Sequence, residues 1–279
     1  MKSFLKLALE RLFPALAKEI RFRAIRRLAL HELKNHRLFE PELKLIEPLL
    51  CGTTGLCLDI GAHVGEYCYA LEHCVPASHI YAFEPNPHTC TLLRRFFPRI
   101  HVENIALSDM QGTATLSVPH RGAKSYATRG TLEHSSGEDE KISVSITTID
   151  TMAASWDLPV AFMKIDVEGH EWKVLVGGRR IIERDHPIIL IEIEERHSGI
   201  PIAETFHGIE SLGYCGYFLD LRAGSLLPVR AFDPAVRQRE EEMKSIDYIN
   251  NFLFFPSGSS EILLTRLRHA LDEHSSDDQ

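Results

Sequence analysis

An apolar run that carries an acid and then turns through two glycines constrains this chain more than any other stretch. Residues 55 to 66 read Gly-Leu-Cys-Leu-Asp-Ile-Gly-Ala-His-Val-Gly-Glu. The apolar run predicts a strand over 55–60, Gly61 and Gly65 a tight turn, and the spacing beyond them a helix over 66–74. Strand, glycine turn and helix in that order are how doubly wound α/β folds bring backbone amides and a helix N-terminus up to a nucleotide-like ligand. A Gly-x-x-x-Gly spacing is equally the mark of a plain tight βα turn. The pattern of the remaining chain decides between the two.

Beyond residue 74, strands and helices alternate. Strands are predicted over 79–84, 100–107, 112–118, 141–149, 160–166, 188–193, 214–219 and 249–255. Helices are predicted over 86–97, 169–184 and 202–212, with a further amphipathic helix after Ser259 and a polar, frayed end over 273–279. The run Ile188-Ile-Leu-Ile-Glu-Ile193 is continuous and β-branched, as a central strand would be. Residues 119–140 are polar, contain Gly122, Gly130 and Gly137, and read as a long loop. Alternation of this kind favours a mostly parallel sheet with helices on both faces. The organisation read from the sequence is a helical extension over 1–50, one α/β domain over 51–258 and a tail over 259–279.

Charge narrows the ligand. The net charge of −8 argues against nucleic acid as the main partner, because phosphate binding wants a basic face. Residues 1–40 nevertheless hold ten Lys/Arg against four Asp/Glu, while the rest holds 21 against 35. Ile20, Ala24 and Leu28 form a stripe ringed by Arg21, Arg23, Arg26, Arg27 and Lys34. A basic amphipathic helix can lie on an anionic membrane surface. The plainer alternative is a cap that packs on the domain or on a second copy in a homo-oligomer. No apolar run reaches the roughly 18–20 residues needed to cross a bilayer, and Lys6 and Glu10 interrupt any secretory core. Six cysteines without Cys-x-x-Cys pairs suggest a reducing compartment. The expected location is cytoplasmic, with peripheral membrane contact through the N-terminal helices as the alternative.

Three predicted strands reach their carboxyl ends at Asp59, Glu84 and Asp166. In an open α/β sheet the ligand crevice lies at those ends. Glu84 follows Asp59 by 25 residues and suits ribose hydroxyls, since a carboxylate accepts from both. Capping the helix after Pro85 is its alternative role. Asp59 stands two residues before the first glycine, where it would repel a pyrophosphate but favour a cationic amino acid group. The turn also lacks the Gly-x-Gly-x-x-Gly of dinucleotide sites. The charge pattern therefore favours S-adenosylmethionine over NAD.

Beyond these single residues, five stretches resemble the FkbM-like methyltransferases, in family order over roughly 55–256. They are Leu58-Asp-Ile-Gly-Ala-His-Val-Gly65, Tyr81-Ala-Phe-Glu-Pro-Asn-Pro87, Asn104-Ile-Ala-Leu-Ser-Asp109, Lys164-Ile-Asp-Val-Glu-Gly-His-Glu171 and Asn251-Phe-Leu-Phe-Phe-Pro256. The fourth is the most specific. The resemblance implies a Rossmann-like class I methyltransferase fold, a doubly wound seven-stranded sheet with a reversed last strand. It also implies S-adenosylmethionine as donor and a sugar, glycan or natural-product hydroxyl as acceptor. Carried over residue by residue, Asp59, Gly61, Ala62 and Gly65 would line the methionine part, Glu84 the ribose, and Asn104, Ile105 and Ala106 the adenine. Asp166 would sit at the methyl-transfer mouth. His63 stands where the family pattern has Asn, and no role is assigned to it.

An alcohol is a poor nucleophile at neutral pH, so a base or a metal should assist. Asp166, Glu168 and His170 cluster past one strand end, and any of them can take the proton; His170 has the most suitable unperturbed pKa. Asp166 alternatively holds the donor's amino group, and His170 alternatively faces solvent. Lys164 shares a strand face with Asp166 and reads as a structural ion pair. Glu192 is placed to join Asp166 around a divalent cation, but no dense acidic cluster marks one, and no metal site is assigned. Arg121, Lys124 and Arg129 read either as a solvated loop or as an acceptor contact. Phe162 and Trp172 read as core. Two competing functions remain: an NAD-dependent oxidoreductase, and a noncatalytic membrane-surface protein that keeps the fold.

Overall fold

Short β-branched and aromatic runs build the centre of the molecule. The computed structural model describes residues 40–118, 131–133, 139–243 and 245–277. The basic helices read from the first 39 residues, and Arg121, Lys124 and Arg129, lie outside the described residues. The chain divides into two compact units, Met1–Pro41 and Glu42–Gln279, of which the second holds the sheet.

The strands of this second unit are β1 (Leu56–Ile60), β2 (Ile80–Phe83), β3 (His101–Glu103), β4 (Ala106–Leu107), β5 (Gly112–Val118), β6 (Glu140–Thr147), β7 (Val160–Ile165), β8 (Ile188–Glu192), β9 (Tyr214–Asp220), β10 (Ser225–Pro228) and β11 (Asn251–Pro256). Eight of them form one sheet in the order β3-β2-β1-β7-β8-β11-β9-β10. From β3 to β8 all neighbours pair parallel. β11 runs antiparallel to both β8 and β9, so the last strand is reversed as expected. β10 folds back antiparallel along β9 and adds an eighth strand at the edge. The strand order reverses between β1 and β7. That switch point is where an α/β sheet opens a crevice at its carboxyl ends.

Parallel strands covered on both faces must be apolar throughout. β1 and β8 follow this apart from the acids Asp59 and Glu192: Leu58 and Ile60, and Ile189, Leu190 and Ile191, are all buried. On one side the core gathers Phe206, Phe218, Phe232, Phe252 and Phe254 in edge-on or tilted ring contacts. Covering helices are α1 (Ile46–Leu50), α2 (Glu66–Cys74), α3 (Pro87–Phe96), α4 (Glu171–Gly177), α5 (Arg179–Asp185), α6 (Ile202–Glu210) and α7 (Ser260–Asp277). α3 starts where its sequence dictates: Pro87 takes the first turn, and the Asn86 side chain accepts from the His88 amide. α1 packs on α2 and α7. α7 runs through Asp277, so the frayed end expected from residue 273 is helical as far as that residue. No helix among the described residues is long and apolar enough to cross a membrane. All six cysteines are free thiols.

Four elements differ from the sequence reading. The strand expected over 100–107 is two, β3 in the main sheet and β4 in a separate one. The Asn104 side chain donates to the carbonyls of Glu84 and Pro85, and the chain changes sheet there. β5 and β6 pair with each other and with β4, forming a three-stranded sheet of their own. β6 ends at Thr147, because Thr148 caps a short helix that takes up Ile149. The helix expected over 169–184 breaks into α4 and α5 at Gly178, where a β-carbon would stand 2.7 Å from Ile149 Cδ1. Phe162 is fully buried, but Trp172 is 39 % exposed and packs its ring edge close to Gly208 of α6 instead of in the core.

Candidate functional site

The carboxyl ends of β1, β2 and β7 meet at a cleft that is open to solvent. Gly61, Glu84, Asp166, Glu168 and His170 line its polar part, and Phe83, Ile105, Ala106, Leu107, Leu116 and Leu132 its apolar part.

Gly61 follows β1 in the left-handed region, with φ 83°. A β-carbon there would fall 1.8 Å from the Asp166 carbonyl oxygen, so the β1 turn touches the end of β7 directly. The next glycine does different work. Gly65 also has positive φ, and a β-carbon on it would meet Phe97 and Leu93 at 2.3 and 2.8 Å. It lets α2 start close against α3. Between them His63 is left-handed too, at φ 46°. His, like Asn and Asp, enters that region more readily than most side chains.

Four amides of this turn are engaged within the protein. Gly61 and Ala62 both donate to the Phe83 carbonyl, at 2.9 and 3.1 Å, and Gly65 donates to Ala62 at 2.8 Å. The His63 amide donates to Glu84 Oε2 at 2.9 Å. A pyrophosphate cradle needs such amides facing the ligand. Here they close the turn and fix a carboxylate.

Glu84 is that carboxylate. Its second oxygen accepts from the Asn86 amide at 2.8 Å. Each oxygen keeps a further lone pair for a ligand hydroxyl. Burial pushes the Glu84 carboxyl up to about 7, against the pull of the two amides and with the charges of Asp59 and Asp166 adding to the rise. Asp59, by contrast, is outside the cleft lining. It is 2 % exposed and accepts from the Cys68 thiol at 3.0 Å. Ala62, Gly65 and Asn104 are also outside the lining and act on the walls: Ala62 and Gly65 shape the turn, Asn104 holds the loop after β2.

β7 supplies the opposite wall. Lys164 is fully buried, donates to Asn251 Oδ1 at 2.8 Å, and lies 4.0 Å from both Asp166 and Glu192 and over the Tyr67 ring. This is the ion pair expected from strand spacing, with Glu192 as a second partner. The ammonium shares Asp166 and Glu192 with any divalent cation that would bridge them. Past β7 the chain is left-handed at Glu168 (φ 49°) and Gly169 (φ 94°). A β-carbon at Gly169 would strike the His197 carbonyl at 2.4 Å. Backbone in such regions is held by its surroundings and is frequent at functional sites.

His170 is buried with both ring nitrogens engaged. Nε2 is 2.9 Å from Ser108 Oγ and Nδ1 is 2.7 Å from Glu133 Oε1. Burial lowers its pKa, partly offset by Glu133. Glu133 also accepts from Lys173 at 2.9 Å. These partners went unseen in the sequence. Ser108 belongs to a stretch singled out for its resemblance, but Glu133 sits in a polar loop with no pattern to mark it. Glu171 packs inward, accepts from the Gly169 amide at 2.8 Å, and is pushed by burial up to about 7.

The family model described as the methyltransferase FkbM domain matches residues 59–219. Among solved structures, methyltransferase FkbM from Methylobacillus flagellatus KT is 18 % identical, with a TM-score of 0.44 over 72 % of this chain and 43 % of that one. This chain thus spans less than half of that protein. Precorrin-6y C5,15-methyltransferase from Geobacter metallireducens GS-15 is 11 % identical, with a TM-score of 0.38 over 65 % of this chain and 74 % of that one. No curated protein matches the chain.

Proposed function

The chain belongs to the FkbM methyltransferase family, and from that premise we propose that it moves the methyl group of S-adenosylmethionine to a hydroxyl of a sugar, glycan or similar alcohol. The observation that carries the donor assignment is the state of the glycine turn. Three of its amides, of Gly61, Ala62 and His63, are taken by Phe83 and Glu84, which disfavours a dinucleotide pyrophosphate. Three carboxylates, Glu84, Asp166 and Glu168, face the cleft instead. Such a lining favours a ligand with a ribose diol and positive charge.

The residues present fit that donor. Glu84, oriented by two amides, accepts from the ribose hydroxyls. Ile105, Ala106, Leu107 and Leu116 give a planar base an apolar slot. When bound, the donor supplies an electrophilic methyl on a positively charged sulfur. Asp166 and Glu168 bring negative charge to the mouth of the cleft, where they hold the donor's ammonium or take the proton that the acceptor hydroxyl loses. Asp59 acts from behind the turn by fixing its position.

The acceptor class rests on the family resemblance and on the need for a carboxylate near a hydroxyl. The protein's site of action is read as the cytoplasm. The test is a screen with methyl-labelled S-adenosylmethionine against monosaccharides, glycans and glycolipids, with and without Mg²⁺. Label in an alkali-stable ether on at least one alcohol is the expected result. Label only in carboxyl esters or amines contradicts the acceptor class.

A further inference from the structure

The apolar end of the cleft has a wall that comes from far along the chain. Residues 131–133 lie in the stretch between β5 and β6. Thr131 pairs with Ser117 of β5 through two backbone hydrogen bonds, at 2.8 and 2.9 Å. Leu132 then packs against the small-sheet core of Leu116, Val118 and Val144 and also lines the cleft. Two hooks tie this segment to the loop after β7. Thr131 Oγ1 donates to the Glu168 carbonyl at 2.7 Å. Glu133 takes His170 Nδ1 at 2.7 Å and Lys173 Nζ at 2.9 Å. His170 is anchored in turn to Ser108, the residue after β4, at 2.9 Å.

This geometry leaves His170 poorly placed as a base. In the neutral form Nδ1–H donates to Glu133, and the Nε2 lone pair accepts from the Ser108 hydroxyl. In the charged form both nitrogens donate, and the Ser108 hydroxyl turns to Asp109, 3.0 Å away. Either way both bonds persist and neither nitrogen offers a lone pair to the cleft.

We propose that residues 131–133 form the outer wall of the pocket for the donor's purine base, and that His170 is a positioning residue that clamps this wall. The proposal rests on the S-adenosylmethionine reading. Leu132, Ile105 and Leu107 line the same cleft, and the Glu133–His170–Ser108 chain holds Leu132 in place there. The clamp therefore acts on donor affinity through Leu132 and leaves proton removal to the carboxylates.

Calorimetric titration of S-adenosylhomocysteine into the full chain tests this. Leu132→Ala and Glu133→Ala are each expected to weaken binding about tenfold, one hydrogen-bonded or apolar contact's worth. His170→Ala should match Glu133→Ala. Because clamp and wall act as one unit, Leu132→Ala/Glu133→Ala should bind no more than about twofold worse than Leu132→Ala alone. A merely structural role would lower the melting temperature of the ligand-free variants without that non-additivity. Should His170→Ala fail to fold, the partly exposed Glu133 and Leu132 variants carry the test. Wild-type affinity retained within twofold in Glu133→Ala, or losses that multiply in the double variant, overturns the clamp. Absence of binding to the wild type overturns the donor reading itself, and is recognised before any variant is made.

Discussion

Gly61 and Asp166 touch through their backbones: a β-carbon on Gly61 would lie 1.8 Å from the Asp166 carbonyl oxygen. Gly61 also sits at φ 83°, where a side chain is strained regardless of space. Gly61→Ala is expected to lose about 2–4 kcal/mol of stability in urea unfolding, from the left-handed backbone and the clash together. Gly258→Ala, with open space around its β-carbon, should stay within about 0.5 kcal/mol of wild type. Equal losses in the two variants contradict the contact.

A ribose contact at Glu84 would make donor affinity depend on pH. Its carboxyl titrates at about 7 because it is buried. Only the ionised form accepts from a diol with both oxygens. Affinity for S-adenosylhomocysteine should therefore rise as pH goes from about 6 to about 8 in the wild type, across that titration. Glu84→Gln should bind more weakly at the upper end and show no such rise. Parallel pH curves for the two proteins, read by calorimetry, count against the ribose assignment.

Lys164 is a buried charge 4.0 Å from both the half-buried Asp166 and the buried Glu192. Lys164→Met leaves two carboxylates without it, and breaking a buried pair from one side costs about 3–5 kcal/mol. Adding Glu192→Gln should recover part of the loss, since one of the stranded charges is gone. Chemical denaturation of the single and double variants measures this. A double variant less stable than Lys164→Met refutes the shared ammonium.

Glu171 gives a stability signature independent of ligand. Its folded pKa, about 7, lies above the ordinary glutamate value of 4.5. The folded state thus binds more protons between those values, and stability falls as pH rises through that window. The contribution is fully present below about 4.5 and lost above about 7. Glu171→Gln keeps an acceptor for the Gly169 amide and removes the titration. It should unfold at higher urea than wild type above that window and show no gain below it. A gain of the same size on both sides contradicts burial as the cause.

Much of this fold is legible in the sequence because hydrophobic period and strand-terminal acids are local signals. Leu56–Ile60, Glu66–Cys74 and Ile188–Glu192 fall within a residue of expectation. Partnership is less legible. The alternation in β5 marks a half-exposed strand but cannot tell which sheet it joins. The break at Gly178 answers to Ile149, distant in sequence, and no helical pattern records that. In the site, Glu84, Asp166 and Glu168 line one cleft, since each ends or follows a parallel strand. Asp59 reaches the end of its strand as well, yet points to Cys68 behind the turn. The Glu133–His170–Ser108 chain joins residues 37 and 62 positions apart. Only the fold brings them together.

The proposed function turns on a cleft that takes a positively charged nucleoside donor rather than a dinucleotide. Side-by-side calorimetric titration of the full chain with S-adenosylhomocysteine and with NAD tests it most directly. One-to-one binding of S-adenosylhomocysteine, with no heat from NAD at the same concentrations, is the predicted result. Binding of NAD with S-adenosylhomocysteine silent would contradict the account.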